Sequence, residues 1–404
     1  MTPNDRQGFP FSSMASPLIR LSHITLQVSN TQKTVTDLVT KYRFRPFAAR
    51  GLDGTSPRQV ALRNGGVVFM VNEKSQETPP IPPSLIYDWP VPLPSADTAC
   101  NVSYEVEDLP GLCRRLADEG CHLLVPPTEL CDDDGSVSYC VVKSVVGNVN
   151  HTLIDRTRYR APFLPGFQLL QSDDVSAEED VTSVDHVTYV CPRGSTPRVI
   201  DWYRRCFGFQ HFPLSSGEDP ERGYEITGPQ IGLRVTSIEC PGRNEVGKIV
   251  MGESLPQSGT NQIDQFMRHH QEGGIQHAGL ATPHIFKATS ALAQCGVLFA
   301  RQPPSYYTEP QKRAEILSAG LAPQHLSEFG ILLDSSAGLA EKNGKILLQV
   351  FAEPLFSKDS FYLELIERRG AQGFGEGNIR ALWRSMQDMM EDLSQKQQEG
   401  ATSH

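Results

Sequence analysis

At 404 residues, with 39% hydrophobic and 21% charged residues, the chain is long enough for two globular domains with real cores. A net charge of −10 without clustered Lys/Arg argues against a nucleic-acid binder, and no run nears the roughly 18 apolar residues of a membrane span. Nine scattered cysteines with no C-x-x-C pair read as buried reduced thiols, not as a disulfide framework or a zinc cluster.

Residues 1–17 are read as a flexible N-terminus, too short of Arg for more than a faint transit signal. The first strand is Leu21–Val28, and Val67–Asn72 is another. The Pro-rich insert Thr78–Pro94 reads as a surface loop. A second opening strand, Cys100–Val106, leads to a helix over Leu109–Ala117 and to strands Ser138–Lys143 and Asn150–Asp155. Asp132-Asp-Asp-Gly135 resembles the start of a calcium loop, but Lys143 stands at the twelfth position, so a hairpin turn is expected. A Pro- and acid-rich linker follows. The pattern then repeats: Val184–Val190, a helix over Arg198–Cys206, and strands Gly232–Ile238 and Lys248–Gly252. The last round has Ile275–Ala281, a helix over Ile285–Gln294, and strands Ile346–Phe351 and Phe361–Glu367. Asn378 reads as the N-cap of a final helix whose inner face carries Ile379, Leu382, Met386, Met389 and Leu393. The glycines of Gly373-Phe-Gly-Glu-Gly377 lack dinucleotide-loop spacing and read as a hinge for that helix.

Strand, helix and about three strands recur four times, so equivalent positions can be compared within one chain. The opening strands offer His23, Asn101, His186 and His277. The closing strands His151–Arg156 and Leu363–Arg368 align, which sets Thr152 against Glu364. The first half thus offers His, Asn and Thr, and the second offers His, His and Glu. Two imidazoles and one carboxylate suit Fe(II) and leave positions open for an oxo acid and dioxygen. His23 has lost its partners and reads as a core residue, while His211, His269, His270, His284 and His325 read as surface residues.

On Val184-Asp-His-Val187, Gly274-Ile-Gln-His277, Leu347-Leu-Gln-Val-Phe351, Phe361–Arg368 and Gln372–Asn378, the chain resembles the vicinal-oxygen-chelate superfamily. More closely it resembles the 4-hydroxyphenylpyruvate dioxygenase / 4-hydroxymandelate synthase family. The likeness runs from about Leu18 to Asp392. Arg160–Gly166, Gly217-Glu-Asp-Pro220 and Gly377–Trp383 resemble a vertebrate branch of it.

The resemblance implies an α+β fold of four βαβββ modules paired into two open-barrel domains, closed by a C-terminal gating helix. It divides the chain into a metal-free domain over 18–157, a linker over 158–183, a catalytic iron domain over 184–378 and a helix and tail over 379–404. It implies Fe(II) on His186, His277 and Glu364, with 4-hydroxyphenylpyruvate and O2 as substrates. Gln262, Gln276 and Gln349 should line the polar end of the pocket, although Gln276, one residue before His277 on a strand, should face away. Phe351 and Phe374 should sandwich the substrate ring, with Ser254, Asn378 and Ile379 nearby. Ile379 and Ser254 depart from the homogentisate-forming pattern, which has phenylalanine and asparagine there. An aliphatic Ile379 lets the ring turn, so 4-hydroxymandelate is the expected product. Homogentisate formation and a silent scaffold retaining the fold stay open. The resemblance also implies a homodimer, a mitochondrial setting (otherwise cytoplasmic) and supply of the ubiquinone headgroup precursor.

Overall fold

The structure, a computed structural model, describes residues 16–379 except 52–58, 75–86, 89–95, 171–178, 215–217, 220–221, 228–231, 257–260, 271, 336–344, 357–360 and 376. The first unit is β1 (Leu18–Val28), α1 (Thr31–Thr40), β2 (Arg45–Arg50), β3 (Gln59–Asn64) and β4 (Val67–Glu73). The second is β5 (Thr98–Val106), α2 (Leu109–Asp118), β6 (Leu123–Asp132), β7 (Gly135–Lys143) and β8 (Asn150–Asp155). A short β9 (Gln168–Leu169) lies in the expected linker and pairs with β2.

The third unit is β10 (Ser183–Val190), α3 (Thr196–Phe207), β11 (Gln210–His211), β12 (Tyr224–Thr227), β13 (Gly232–Glu239) and β14 (Lys248–Ser254), followed by α4 (Gln262–His269). The fourth is β15 (Gly274–Ala281), α5 (Ile285–Gln294), α6 (Pro304–Thr308), α7 (Pro310–Ser318), α8 (Pro323–Phe329), β16 (Leu332–Asp334), β17 (Ile346–Phe351) and β18 (Tyr362–Arg369).

The two sheets run β2-β3-β4-β1-β5-β8-β7-β6 and β11-β13-β14-β10-β15-β18-β17-β16. They are the same order written in equivalent strands, so the repeat read in the sequence is a repeat of topology. In each half the opening strands of two units lie side by side and antiparallel at the centre of the sheet. Sheet curvature then brings both into one cup.

Helix α3 shows why its segment is helical and where it packs. It buries Thr196, Val199, Trp202, Tyr203, Cys206 and Phe207, a stripe at three-and-four spacing. Trp202, Tyr203 and Phe207 surround the ring of His151 on β8, at centroid distances of 6.1, 5.5 and 5.9 Å. One continuous apolar cluster runs from Leu18 in the first sheet to Leu365 in the second. The halves therefore share a core. Truncating Tyr203 to alanine removes an aromatic worth about 3–5 kcal/mol at a buried site.

Several sequence expectations are corrected. The Thr78–Pro94 insert is not wholly a surface loop: Tyr87 and Asp88 are buried, because the first cup accepts them. His270 is buried and stacks on Phe266 at 4.3 Å, since it closes α4 against the sheet. Six cysteines are buried, but Cys131 and Cys295 are exposed and Cys121 is half-buried. The Asp132–Gly135 turn joins β6 to β7 as expected. Helices α6 to α8 form an insert that the repeat did not foretell. Residues 1–15 and 380–404, including the rest of the expected gating helix, lie outside the described residues. Among described residues, no helix is long and apolar enough to cross a membrane.

His23 and His151 are both fully buried, and burial pushes their imidazoles down to about 3 and about 4. His151 Nδ1 donates to the Val102 carbonyl at 2.9 Å, so its Nε2 accepts from the Tyr203 hydroxyl at 2.7 Å. An unfolded chain protonates these histidines near pH 6.5 while the folded chain does not. Stability is therefore full above pH 6.5 and falls as pH drops toward 4, by up to about 1.4 kcal/mol per pH unit for each histidine. Urea midpoints at pH 7, 6 and 5 should decline in that order. A midpoint that stays flat from pH 7 to 5 rejects the assignment of both as neutral core residues.

Candidate metal centre

His186, His277 and Glu364 stand on β10, β15 and β18, three neighbouring strands of the second sheet. Register explains their convergence. His186 pairs with Gly279, and Gly279 pairs in turn with Glu364. Gly279 matters because it has no side chain: a Cβ there would lie 2.2 Å from His186 Cε1. The glycine leaves the volume that the imidazole occupies.

β10 and β15 fall out of step twice, between Val184 and His186 and across from Ile275 and His277. The extra residues are Asp185 and Gln276. On a regular strand each would point away from the histidine beside it. A bulge re-aims a side chain, and here Asp185 Oδ1 lies 3.0 Å from His186 Nδ1 while Gln276 Oε1 lies 3.2 Å from His277 Nδ1. The expectation that Gln276 faces away is thereby overturned. With Nδ1–H donated to an oxygen, each imidazole keeps the lone pair on Nε2.

Those lone pairs meet. Glu364 Oε2 is 3.2 Å from His186 Nε2 and 3.4 Å from His277 Nε2, and the two nitrogens are 3.4 Å apart. All three residues are buried. Burying a carboxylate against two lone pairs costs several kcal/mol unless a proton or a metal cation is shared among them. Three donors about 2.1 Å from one ion, on adjacent octahedral positions, lie about 3 Å apart, close to these edges. The residues fit a metal ion, and the 2-His-1-carboxylate set is that of non-heme Fe(II) sites.

Without a metal, a proton on His186 Nε2 takes the cation's place against Glu364. Burial opposes charging His186, but Glu364 and Asp185 outweigh it and lift the imidazole to about 9. Burial also opposes ionising Glu364, yet the two histidines bring it down to about 2. Asp185 is held far below the usual carboxylate range, because Arg368 and His186 overcome its burial. Arg368 grips both Asp185 oxygens at 2.7 and 2.9 Å. The same guanidinium donates to Gly373 O at 2.5 Å and sits 5.1 Å from the Phe374 ring.

Glu364 is steadied from its other oxygen. Gln349 Nε2 donates to Glu364 Oε1 at 2.8 Å, and Asn378 Nδ2 donates to Gln349 Oε1 at 2.8 Å. Asn378 Oδ1 accepts from the Tyr306 hydroxyl. Asn378 is therefore not the N-cap expected for the last helix. Asp334 receives the backbone N–H of Gly377 at 2.6 Å and of Asn378 at 3.4 Å and does that work from β16. Gly375, at φ 74°, lets the chain turn where a Cβ would come within 3.0 Å of Gln349 Oε1.

Above the trio lies a cavity of about 650 Å³, counted out to its open mouth. Of the expected substrate residues, Gln262, Gln276, Gln349, Phe351, Phe374 and Ile379 line it. Ser254 and Asn378 do not. The Ser254 hydroxyl is directed to Asn261 and Asp264 at the start of α4, and the Asn378 amide to Gln349. Phe374 packs edge-on to His186 at 5.0 Å. The sequence reading missed Thr188 and Tyr362, each two residues from a metal-ligand candidate and hence on its strand face. Tyr362 stacks on His277 at 4.6 Å. Thr188 lines the cavity, and its buried Oγ1 has no hydrogen-bond partner among the described residues.

Over 379 residues the chain is 42% identical to the 4-hydroxyphenylpyruvate dioxygenase-like protein of Homo sapiens, covering 93% of this chain and 98% of the human one. It is 27% identical over 397 residues to 4-hydroxyphenylpyruvate dioxygenase of Neurospora crassa, covering 93% and 92%. Among solved structures, a mutant 4-hydroxymandelate synthase from Streptomyces coelicolor superposes with a TM-score of 0.75 at 22% identity, covering 93% and 99%. That last likeness is one of fold. No family model matches the chain.

Two substitutions test the site without touching a ligand. Asp185→Asn frees the His186 tautomer and should weaken metal binding about 10–100-fold. Gly279→Ser places a side chain in the His186 ring volume and should abolish it. Calorimetric titration with Fe(II) under argon reads both. Wild-type affinity in Gly279→Ser would show that the trio is not the metal site.

Proposed function

Since the chain belongs to the 4-hydroxyphenylpyruvate dioxygenase-like family, we propose that it is an Fe(II)-dependent dioxygenase converting 4-hydroxyphenylpyruvate and O2 to 4-hydroxymandelate and CO2. The observation that carries this reading is the His186/His277/Glu364 triangle at the end of a largely apolar cavity. Relatives named as acting on 4-hydroxyphenylpyruvate support the substrate. A silent scaffold needs no such trio, and the first half shows how the positions change when unused.

His186, His277 and Glu364 would hold an iron(II) ion, which would supply the redox chemistry by which dioxygen reacts with the 2-oxo acid. The chain's own residues do the rest. Asp185 and Gln276 fix the imidazoles, and Gln349 fixes the Glu364 carboxylate. The polar 2-oxo acid end belongs at the trio, where the Thr188 hydroxyl offers a hydrogen bond. The ring belongs among Leu233, Val235, Val250, Phe351 and Phe374, which exclude water from it. The Gln262 amide, at the cavity wall, suits the phenol, which needs a partner once buried.

Ile379 sets the product in this reading. It lines the cavity and packs on the cluster that holds Phe374 and Ile263. An aliphatic side chain there leaves the ring free to turn its benzylic carbon toward the oxidant, whereas a phenylalanine would clamp it and direct attack to the ring. We extend the reading to a mitochondrial setting and to supply of the ubiquinone headgroup precursor, on the family resemblance alone.

The test is aerobic turnover of the Fe(II)-reconstituted protein with 4-hydroxyphenylpyruvate, products being separated by chromatography. 4-Hydroxymandelate should dominate, and Ile379→Phe should raise the homogentisate share at least tenfold, about 1.4 kcal/mol of relative barrier. Homogentisate as the wild-type product would overturn the role given to Ile379 while leaving the dioxygenase reading intact. Stoichiometric iron with neither product would overturn the substrate.

A further inference from the structure

The first sheet holds a second cup whose register matches the catalytic one residue for residue. β1 pairs Thr25 with Asn101 as β10 pairs Thr188 with His277. His23 thus matches His186, and Asn101 matches His277. Ser103 takes the place of Gly279, and its hydroxyl lies 3.0 Å from His23 Nε2. Along β4 and β14, Thr25 is level with Met70 and Thr188 with Val250, so Asn72 matches Gly252. Along β7 and β17, Tyr139 faces Ile154 and Gln349 faces Ile366, so Tyr139 matches Gln349.

Tyr87 and Asp88 fill that cup. The Tyr87 ring is fully buried, 4.7 Å from Tyr139 and 6.3 Å from Phe167. Its hydroxyl donates to the Pro165 carbonyl at 3.2 Å. The Asp88 carboxylate accepts from Asn101 Nδ2 at 2.8 Å and from Asn72 Nδ2 at 2.9 Å. Thr152, the counterpart of Glu364, donates its hydroxyl to the Tyr87 carbonyl at 2.8 Å and accepts from Asn101 at 2.9 Å. Tyr87 adopts φ 61°, a left-handed backbone that a bulky residue takes only when its surroundings impose it. A 4-hydroxyphenyl ring and a carboxylate thus occupy polar and aromatic contacts built for them, at the place equivalent to the catalytic cavity.

We propose that the first cup is a binding site for small phenolic carboxylates whose resident occupant is the chain's own Tyr87–Asp88 pair. Tyr139 and Phe167 bind the ring, Pro165 binds the phenol, and Asn72 and Asn101 bind the carboxylate. Amide N–H groups of Asn72 and Asn101 hydrogen-bond the carboxylate. The site does not rest on the iron chemistry of the second half. A free phenolic acid enters only when the resident pair is removed.

The experiment uses the metal-free full chain and 4-hydroxyphenylacetate. By calorimetry, the Tyr87→Gly/Asp88→Gly variant should bind one more equivalent per chain than wild type. Phenylacetate, which has no phenol for Pro165, should bind that extra site at least tenfold more weakly. Equal stoichiometry in variant and wild type overturns the proposal, and equal affinity for the two acids overturns the assignment of the phenol. Should the double variant fail to fold, Asp88→Gly alone opens just the carboxylate position. Its lowered melting temperature should recover in part with added acetate but not with equal chloride, and no recovery overturns the proposal.

Discussion

The pairing of β10 against β15 is the constraint on which the rest of the second half depends. It sets two histidines from strands about ninety residues apart in sequence onto one face of one sheet, and β18 adds Glu364 beside them. Two bulges then place an acceptor behind each imidazole. Without the bulges, Asp185 and Gln276 would face the opposite side and the Nδ1 atoms would lose these partners. Orienting a metal ligand is worth one or two orders of magnitude in affinity. Local irregularity of the strands is thus part of the site.

The same pairing in the first half reaches a different end. There Ser22 sits at the equivalent bulge, with its hydroxyl 3.1 Å from His23 Nδ1, so the device of a hydrogen-bond partner behind the imidazole is kept. What changes is the centre. Asn, Thr and Ser can satisfy one another with neutral hydrogen bonds, while Glu364 brings a charge that a proton on His186 or a metal ion must balance. A buried network that is fully hydrogen-bonded is stable and specific, whereas a partly satisfied one costs more than an apolar core. The first half resolves that cost with neutral groups and its own Tyr87–Asp88 pair. The second gathers three donors that fit a metal ion.

Much of this was legible in the sequence, and for a physical reason. Because the unit repeats, His186, His277 and Glu364 could be singled out by comparison with His23, Asn101 and Thr152, and the strand register aligns those same positions. The helices α2, α3 and α5 were visible through their periodicity and the glycines that follow them. Other features were not legible, because they are tertiary. Gln276 looked as if it faced away, since a bulge leaves no mark in the alternation. Asn378 looked like an N-cap because Ser/Thr/Asn/Asp at a helix start usually is one, yet Asp334 from another strand takes the role. Tyr87 looked like part of a surface loop because the Pro-rich residues around it carry no period. Thr188 and Tyr362 were within reach, since two-residue spacing from a ligand places them on its face.

The metal trio and the segment that closes the cavity are also mechanically joined, by two routes that start on different ligands. From His186 the route passes through Asp185 to Arg368, which holds the Gly373 carbonyl and lies against Phe374. From Glu364 it passes through Gln349 to Asn378, the residue before Ile379. In the first half Arg156, the counterpart of Arg368, likewise reaches forward, donating to the Ala161 carbonyl at 2.6 Å and lying 5.9 Å from the Tyr159 ring. An arginine closing the last strand and gripping the chain that leaves it is therefore a property of the module. The second half has turned that structural clamp toward the cavity, so the wall residues Phe374 and Ile379 are positioned by the same hydrogen bonds that aim the ligands. The candidate ligands and the cavity wall are thus tied into one set of hydrogen bonds of 2.5 to 3.0 Å.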